Sequence, residues 1–115
     1  MPPKFNYFKD EEIQGLDPEL VAKLDWARAR SGVPFIITSG KRSPEDNKRV
    51  SGVDDSAHMR GLAVDLRCAS SEDRYRMLQA LFLVGFRRIG LYDKHLHVDL
   101  DPNLPQDVTW VGLSH

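Results

Sequence analysis

The sequence predicts a small α+β domain, a mainly antiparallel sheet with helices packed on one side. Three observations carry this. Residues 62–66 and 95–100 alternate apolar and polar side chains, the period-two pattern of strands that bury one face. Asp17-Pro18-Glu19 and Ser70-Ser71-Glu72-Asp73 each place a capping side chain before a run with apolar residues at helical spacing. A chain of 115 residues, 41% of them hydrophobic, can build one core, so residues 1–115 are expected to form one domain without a second module.

In chain order, Phe5, Tyr7 and Phe8 are expected to pin the N-terminal segment to the core, ahead of an acidic turn at residues 9–14. Asp17 caps a helix with Pro18 at its first position and Glu19 in its first turn, where an acid suits the helix dipole. Leu20, Val21, Leu24 and Ala27 form its buried stripe, and Gly32 ends it. Residues 34–38 are apolar and rich in branched side chains, which predicts a central strand leading into a turn at Ser39-Gly40. Arg42 leaves that turn, and Ser43-Pro44-Glu45-Asp46 starts a second helix reaching about Val50. A polar loop then delivers His58 to the strand at residues 62–67.

Cys68 follows that strand. As the single cysteine it has no internal disulfide partner, and its apolar setting predicts a buried thiol. The helix after Ser70 presents Tyr75, Leu78, Leu81, Phe82 and Val84 at helical spacing and closes at Gly85. Residues 86–91 and 95–100 read as adjacent strands joined by Tyr92-Asp93-Lys94. Residues 101–115, with Pro102 and Pro105 and no sustained period, read as an irregular segment packed down by Trp110.

A net charge of −1 argues against nucleic acid as partner and against an anionic membrane surface. The first residues lack the charged and apolar regions of a signal peptide and no apolar run reaches spanning length, so synthesis in the cytoplasm without membrane insertion is expected.

The chemistry concentrates in two stretches. Asp65 points away from the apolar face of its strand, and Gly61 lets the preceding loop bring His58 back over it. His95, His97 and Asp99 share the polar face of the later strand. His58, Asp65 and His97 are thus two imidazoles and a carboxylate on one open face, a set suited to zinc with one position left for water. His95 stands about 6.6 Å along the strand from His97, close enough to serve such a water as acid or base. Asp93, in the turn, is the other candidate. Asp99 is expected to hydrogen-bond near the site rather than take part in the reaction. Arg42 carries a fork of donors that suits a substrate carboxylate.

Ser39-Gly-Lys-Arg-Ser-Pro44, Ser56-x-His-x-x-Gly-x-Ala-x-Asp65 and His95-x-His97 together resemble the peptidase M15 family, which holds zinc D-Ala-D-Ala carboxypeptidases and phage endolysin L-alanyl-D-glutamate peptidases. The resemblance covers roughly residues 4–110. It implies a fold like that of the hedgehog domain and the D,D-peptidases, Zn2+ on His58, Asp65 and His97, and contact of Arg42 with the substrate. It also implies a peptidoglycan stem peptide as substrate, so that the protein acts on the cell wall if released. One position departs from the family pattern: many members carry an acid three residues before the last zinc histidine, where this chain has Lys94, with Asp93 one residue earlier. A second reading follows from that departure, a zinc-binding domain without peptidase activity, since the hedgehog domain uses the same ligand layout as a binding surface.

Overall fold

The computed structural model describes residues 5–40, 58 and 60–112. Arg42 and the helix expected after Ser43 lie outside the described residues. The elements are α1 (Pro18–Ser31), β1 (Ile37–Ser39), β2 (Ala63–Arg67), α2 (Ser71–Leu83), β3 (Arg88–Leu91), β4 (His95–Asp99) and β5 (Val108–Val111). The strands form a sheet in the order β1-β2-β4-β3-β5, antiparallel except that β5 runs parallel to β3. This is the expected α+β architecture.

Both described helices start and stop where their capping residues stand. Asp17 Oδ1 accepts the Glu19 N–H at 2.8 Å, and Gly32 closes α1 in the left-handed conformation at φ 69°. Ser70 caps α2 by accepting the Asp73 N–H at 3.1 Å. The core lies between the helices and one face of the sheet, where Leu20, Val21 and Leu24 of α1 and Met77 and Leu81 of α2 bury against Val64, Leu66, Ile89, Leu96 and Val98. Phe8 joins this core and Phe5 packs against it, while Tyr7 lies exposed beneath the Arg28 guanidinium. Cys68 is buried, and burial raises its thiol pKa. Among the described residues, no helix is long and apolar enough to cross a membrane.

Three expectations are corrected. The apolar run at residues 34–38 does not make a central strand: β1 is three residues long, at the sheet edge, and irregular in register. Val33 and Phe35 instead enter the core before the strand begins, and Ile36 is exposed, so the branched residues serve packing more than pairing. On α2, Tyr75 and Phe82 face solvent, and the buried stripe is Met77, Ala80 and Leu81, continued by Val84 beyond the helix end. Tyr75, Leu78 and Phe82 form a neighbouring stripe with the same spacing, so periodicity alone does not choose between them. The tail is not wholly irregular, because β5 adds a parallel strand. Its start is set by Arg87, which grips Asp107 through two hydrogen bonds of 2.7 and 2.8 Å, while Asp107 takes the turn at φ 60°.

Candidate functional site

The sheet face away from the core carries the polar residues. Ser39, Asp65, His97, Gly90 and Trp110 are successive cross-strand neighbours on β1, β2, β4, β3 and β5. Asp65 and His97 face the same way because the register pairs them directly, while Leu66 and Leu96, one residue on, point into the core.

Above this row, one atom each of His58, Asp65 and His97 converge within 4.8 Å of one another. His58 Nε2 lies 3.3 Å and His97 Nδ1 3.1 Å from the same oxygen, Asp65 Oδ1. A tetrahedral zinc with bonds of roughly 2.0–2.1 Å holds its ligand atoms about 3.3–3.4 Å apart, so these separations suit that ion. The far ring nitrogens support the same reading. His58 Nδ1 is 2.9 Å from the Gly40 carbonyl, which can only accept, so Nδ1 carries a proton and Nε2 is the nitrogen turned toward Asp65. His97 Nε2 donates to Asp99 Oδ2 at 2.7 Å, leaving Nδ1 toward the cluster. A cation, a proton in the free protein or a metal ion when bound, satisfies these nitrogens and the carboxylate oxygen together. The donor set fits zinc.

Charge at the site is anchored from below. Asp99 is buried, and besides His97 it accepts Arg88 Nε at 2.8 Å and the Asp101 N–H at 3.1 Å. Burial opposes a charge on His97, but hydrogen bonds to Asp65 and Asp99, with their negative charges, outweigh it and push its pKa up to about 8. For Asp65 burial again works against the charge, and hydrogen bonds from His58 and His97 overcome it, holding the carboxyl far below its usual range.

His58 comes from a loop. Its buried ring is set by Gly40, and the loop folds back through Gly61 at φ 73°, whose carbonyl accepts the Asp17 N–H at 2.8 Å. Arg60 forms an ion pair with the buried Asp101, just beyond β4. The loop is therefore tied both to the start of α1 and to the end of the strand bearing His97.

His95 lies on β4 with its ring stacked on Tyr92, centroids 4.5 Å apart and planes inclined by 8°. Burial lowers its pKa, with the charge of Asp65 acting in the opposite direction, which favours a neutral ring. Asp93 stands exposed in the turn, where Arg74 donates to the carbonyls of Tyr92 and Asp93 at 2.6 and 3.2 Å. Two residues stand nearer the site than the sequence suggested. The Trp110 ring lies 5.6 Å from that of His97, and its Nε1–H donates to the Tyr92 hydroxyl at 3.1 Å. The available signal was Gly90, a glycine inside a strand: a Cβ there would meet the Trp110 ring at 2.7 Å and the Tyr92 ring at 2.8 Å.

No curated protein sequence matches the chain. Among solved structures it is similar to the Serratia marcescens L-Ala D-Glu endopeptidase ChiX, with a TM-score of 0.62 and 22% sequence identity over 80% of this chain and 85% of that one. That likeness supports the fold. The sequence profile of the Peptidase M15 family matches residues 4–101, nearly the whole chain and all three members of the cluster. The chain belongs to the peptidase M15 family.

Proposed function

We propose that the protein is a zinc-dependent peptidase that hydrolyses an amide bond in the peptide stems of bacterial peptidoglycan. The observation that carries this is the convergence of His58 Nε2, Asp65 Oδ1 and His97 Nδ1, with the far nitrogen of each histidine held by an acceptor, in a chain of a peptidase family. Zinc on these three residues would supply a Lewis acid for the scissile carbonyl and make a water acidic enough to attack near neutral pH. His95 takes a proton and returns it to the leaving amine. It shares the strand face of His97, and its lowered pKa leaves the ring able to accept at pH 7. Asp93 is the weaker candidate because its backbone sits in an exposed turn rather than in the ladder. Arg42 binds a carboxylate of the stem peptide, a role taken from the family resemblance. The ChiX likeness makes the L-Ala–D-Glu bond the first to test, ahead of a terminal D-Ala. The protein meets this substrate in the cell wall once released from the cell that makes it.

The test is mass spectrometry of defined muropeptides incubated with zinc-loaded and chelated protein. A zinc-dependent cut inside the stem is the expected result, and loss of terminal D-Ala would reassign it as a carboxypeptidase. His97→Ala should abolish both metal binding and turnover, whereas His95→Ala should keep the metal and lose turnover. Lys94 stands where many family members have an acid, so the competing reading is a zinc-binding module. Zinc-loaded wild-type protein that cleaves no muropeptide would establish that reading instead.

A further inference from the structure

The site has an aromatic wall that no part of the reading above uses. Trp110 sits on β5, beyond the residues matched by the family profile, and its cross-strand neighbour is Gly90. The absence of a side chain at Gly90 leaves room for the indole over β3, 5.6 Å from the His97 ring. A Cβ at Gly112 would likewise overlap the Tyr92 ring, so two glycines clear the space these aromatics fill. Arg88 reinforces the arrangement from behind, its guanidinium 4.9 Å from the centre of the Trp110 ring while its Nε serves Asp99. The contacts then run in one direction: Trp110 Nε1–H holds the Tyr92 hydroxyl, and the Tyr92 ring lies flat against the His95 imidazole.

We propose that Tyr92 and Trp110 are positioning residues, and that this chain of contacts from β5 fixes the plane of the His95 ring beside the cluster. The physical need is plain. The His95 ring is set by two side-chain torsions and stands at the first residue of β4, next to a turn, so the backbone ladder alone does not orient it. A stacked, nearly parallel partner restricts rotation about the second torsion, and the hydrogen bond from Trp110 keeps that partner in place. Misplacement of a reacting group by about 1 Å can cost on the order of a hundredfold in rate. The proposal rests on the reading of His95 as the acid/base.

The experiment uses the zinc-loaded full chain and muropeptide progress curves for Tyr92→Leu, Tyr92→Phe, Trp110→Phe and His95→Ala. It is paired with carbon–proton NMR of the imidazole groups and with zinc affinity from chelator competition. Tyr92→Leu should lower kcat by about tenfold or more while KM and zinc affinity stay within about twofold, and the His95 ring protons should lose the upfield shift that a stacked phenol imposes. Tyr92→Phe keeps the stack and should recover most of kcat. Trp110→Phe removes the N–H donor while keeping a smaller aromatic ring, should fall between the two, and carries the test alone if Tyr92→Leu does not fold. A rise in KM at constant kcat would make the wall a substrate-binding surface and overturn the proposal, as would His95 resonances that do not differ between wild type and Tyr92→Leu. His95→Ala with undiminished turnover would remove the acid/base reading and this proposal together. Full loss in His95→Ala beside an unaffected Tyr92→Leu would overturn the positioning role alone.

Discussion

The two histidines of the cluster are held by unlike means. His97 is the middle residue of β4, paired on one side with β2 and on the other with β3, and its ring is gripped at both nitrogens by carboxylates. His58 stands outside the sheet, and among the described residues its loop is held by the Gly40 carbonyl, the turn at Gly61 and the ion pair of Arg60. A strand residue inherits its place from the core, whose leucines and valines alternate with it. A loop residue inherits its place from a few particular contacts, and each can be removed singly. Zinc affinity is therefore expected to be more fragile on the His58 side, except where a change reaches the buried charges under His97.

The largest effect is expected at Gly61. Its φ of 73° suits glycine, and a Cβ would overlap the Gly15 carbonyl oxygen, which is backbone and cannot swing aside. Gly61→Ala should cost about 3 kcal/mol of stability in denaturant titration and weaken zinc binding by about a hundredfold or more, because the loop must move away from the start of α1 and take His58 with it. A folded Gly61→Ala protein with wild-type zinc affinity would show that the loop has a second way of presenting His58.

Next is Asp99→Asn, which keeps shape but removes charge. Loss of the charged acceptor behind a metal-binding histidine typically costs about 10–100-fold in metal affinity, and chelator competition reads this directly. Arg88 would lose its charged partner but keep the Pro105 carbonyl, at 2.7 Å from its Nη1, so the protein should still fold. If affinity holds within about twofold, the clamp on His97 is ornamental and the comparison between the two sides fails.

The same clamp sets a pH dependence. Free of metal, His97 has its pKa pushed up to about 8, so below that pH the ring is protonated and zinc must displace a proton from Nδ1. Apparent zinc affinity should therefore rise with pH by about tenfold per unit up to about pH 8 and gain nothing more from this group above it. Titration calorimetry at pH 7 in buffers of different ionisation enthalpy should report release of this proton. In Asp99→Asn the plateau should begin at lower pH, since one of the two carboxylates that raise the pKa is gone.

Most of the strand-borne half was legible in the sequence, and much of the rest was not, for a physical reason. Alternation at residues 62–66 and 95–100 assigns Asp65, His97 and Asp99 to the face opposite the core, and the structure places them there. Caps at Asp17 and Ser70 likewise mark both described helices. Ion pairs between distant segments leave no such periodic trace, so Arg60 with Asp101 and Arg88 with Asp99 became visible only in three dimensions. The strand bearing Trp110 was missed because it has four residues and follows two prolines, and its parallel pairing depends on the grip of Arg87 on Asp107.

The smallest of these effects should come from Arg60, and it tests the loop side most finely. Asp101 is almost fully buried, but it also accepts the Asn103 N–H at 3.0 Å, so the carboxylate is not stranded when Arg60 is replaced. The Arg60 side chain is partly exposed, and solvent screening reduces what its ion pair contributes to stability. Arg60→Met keeps most of the chain length and removes the tether between the His58 loop and the end of β4. The loop would still be fixed at Gly61 and by the bond from His58 to Gly40, so zinc affinity should fall only about threefold, within the range of a weak ion pair. The loss should appear in the rate of zinc release rather than in kcat of the loaded enzyme, because His95 and the carboxylates under His97 are untouched. A loss as large as that of Asp99→Asn would mean that the tether, rather than the glycine turn, is what holds His58 in place.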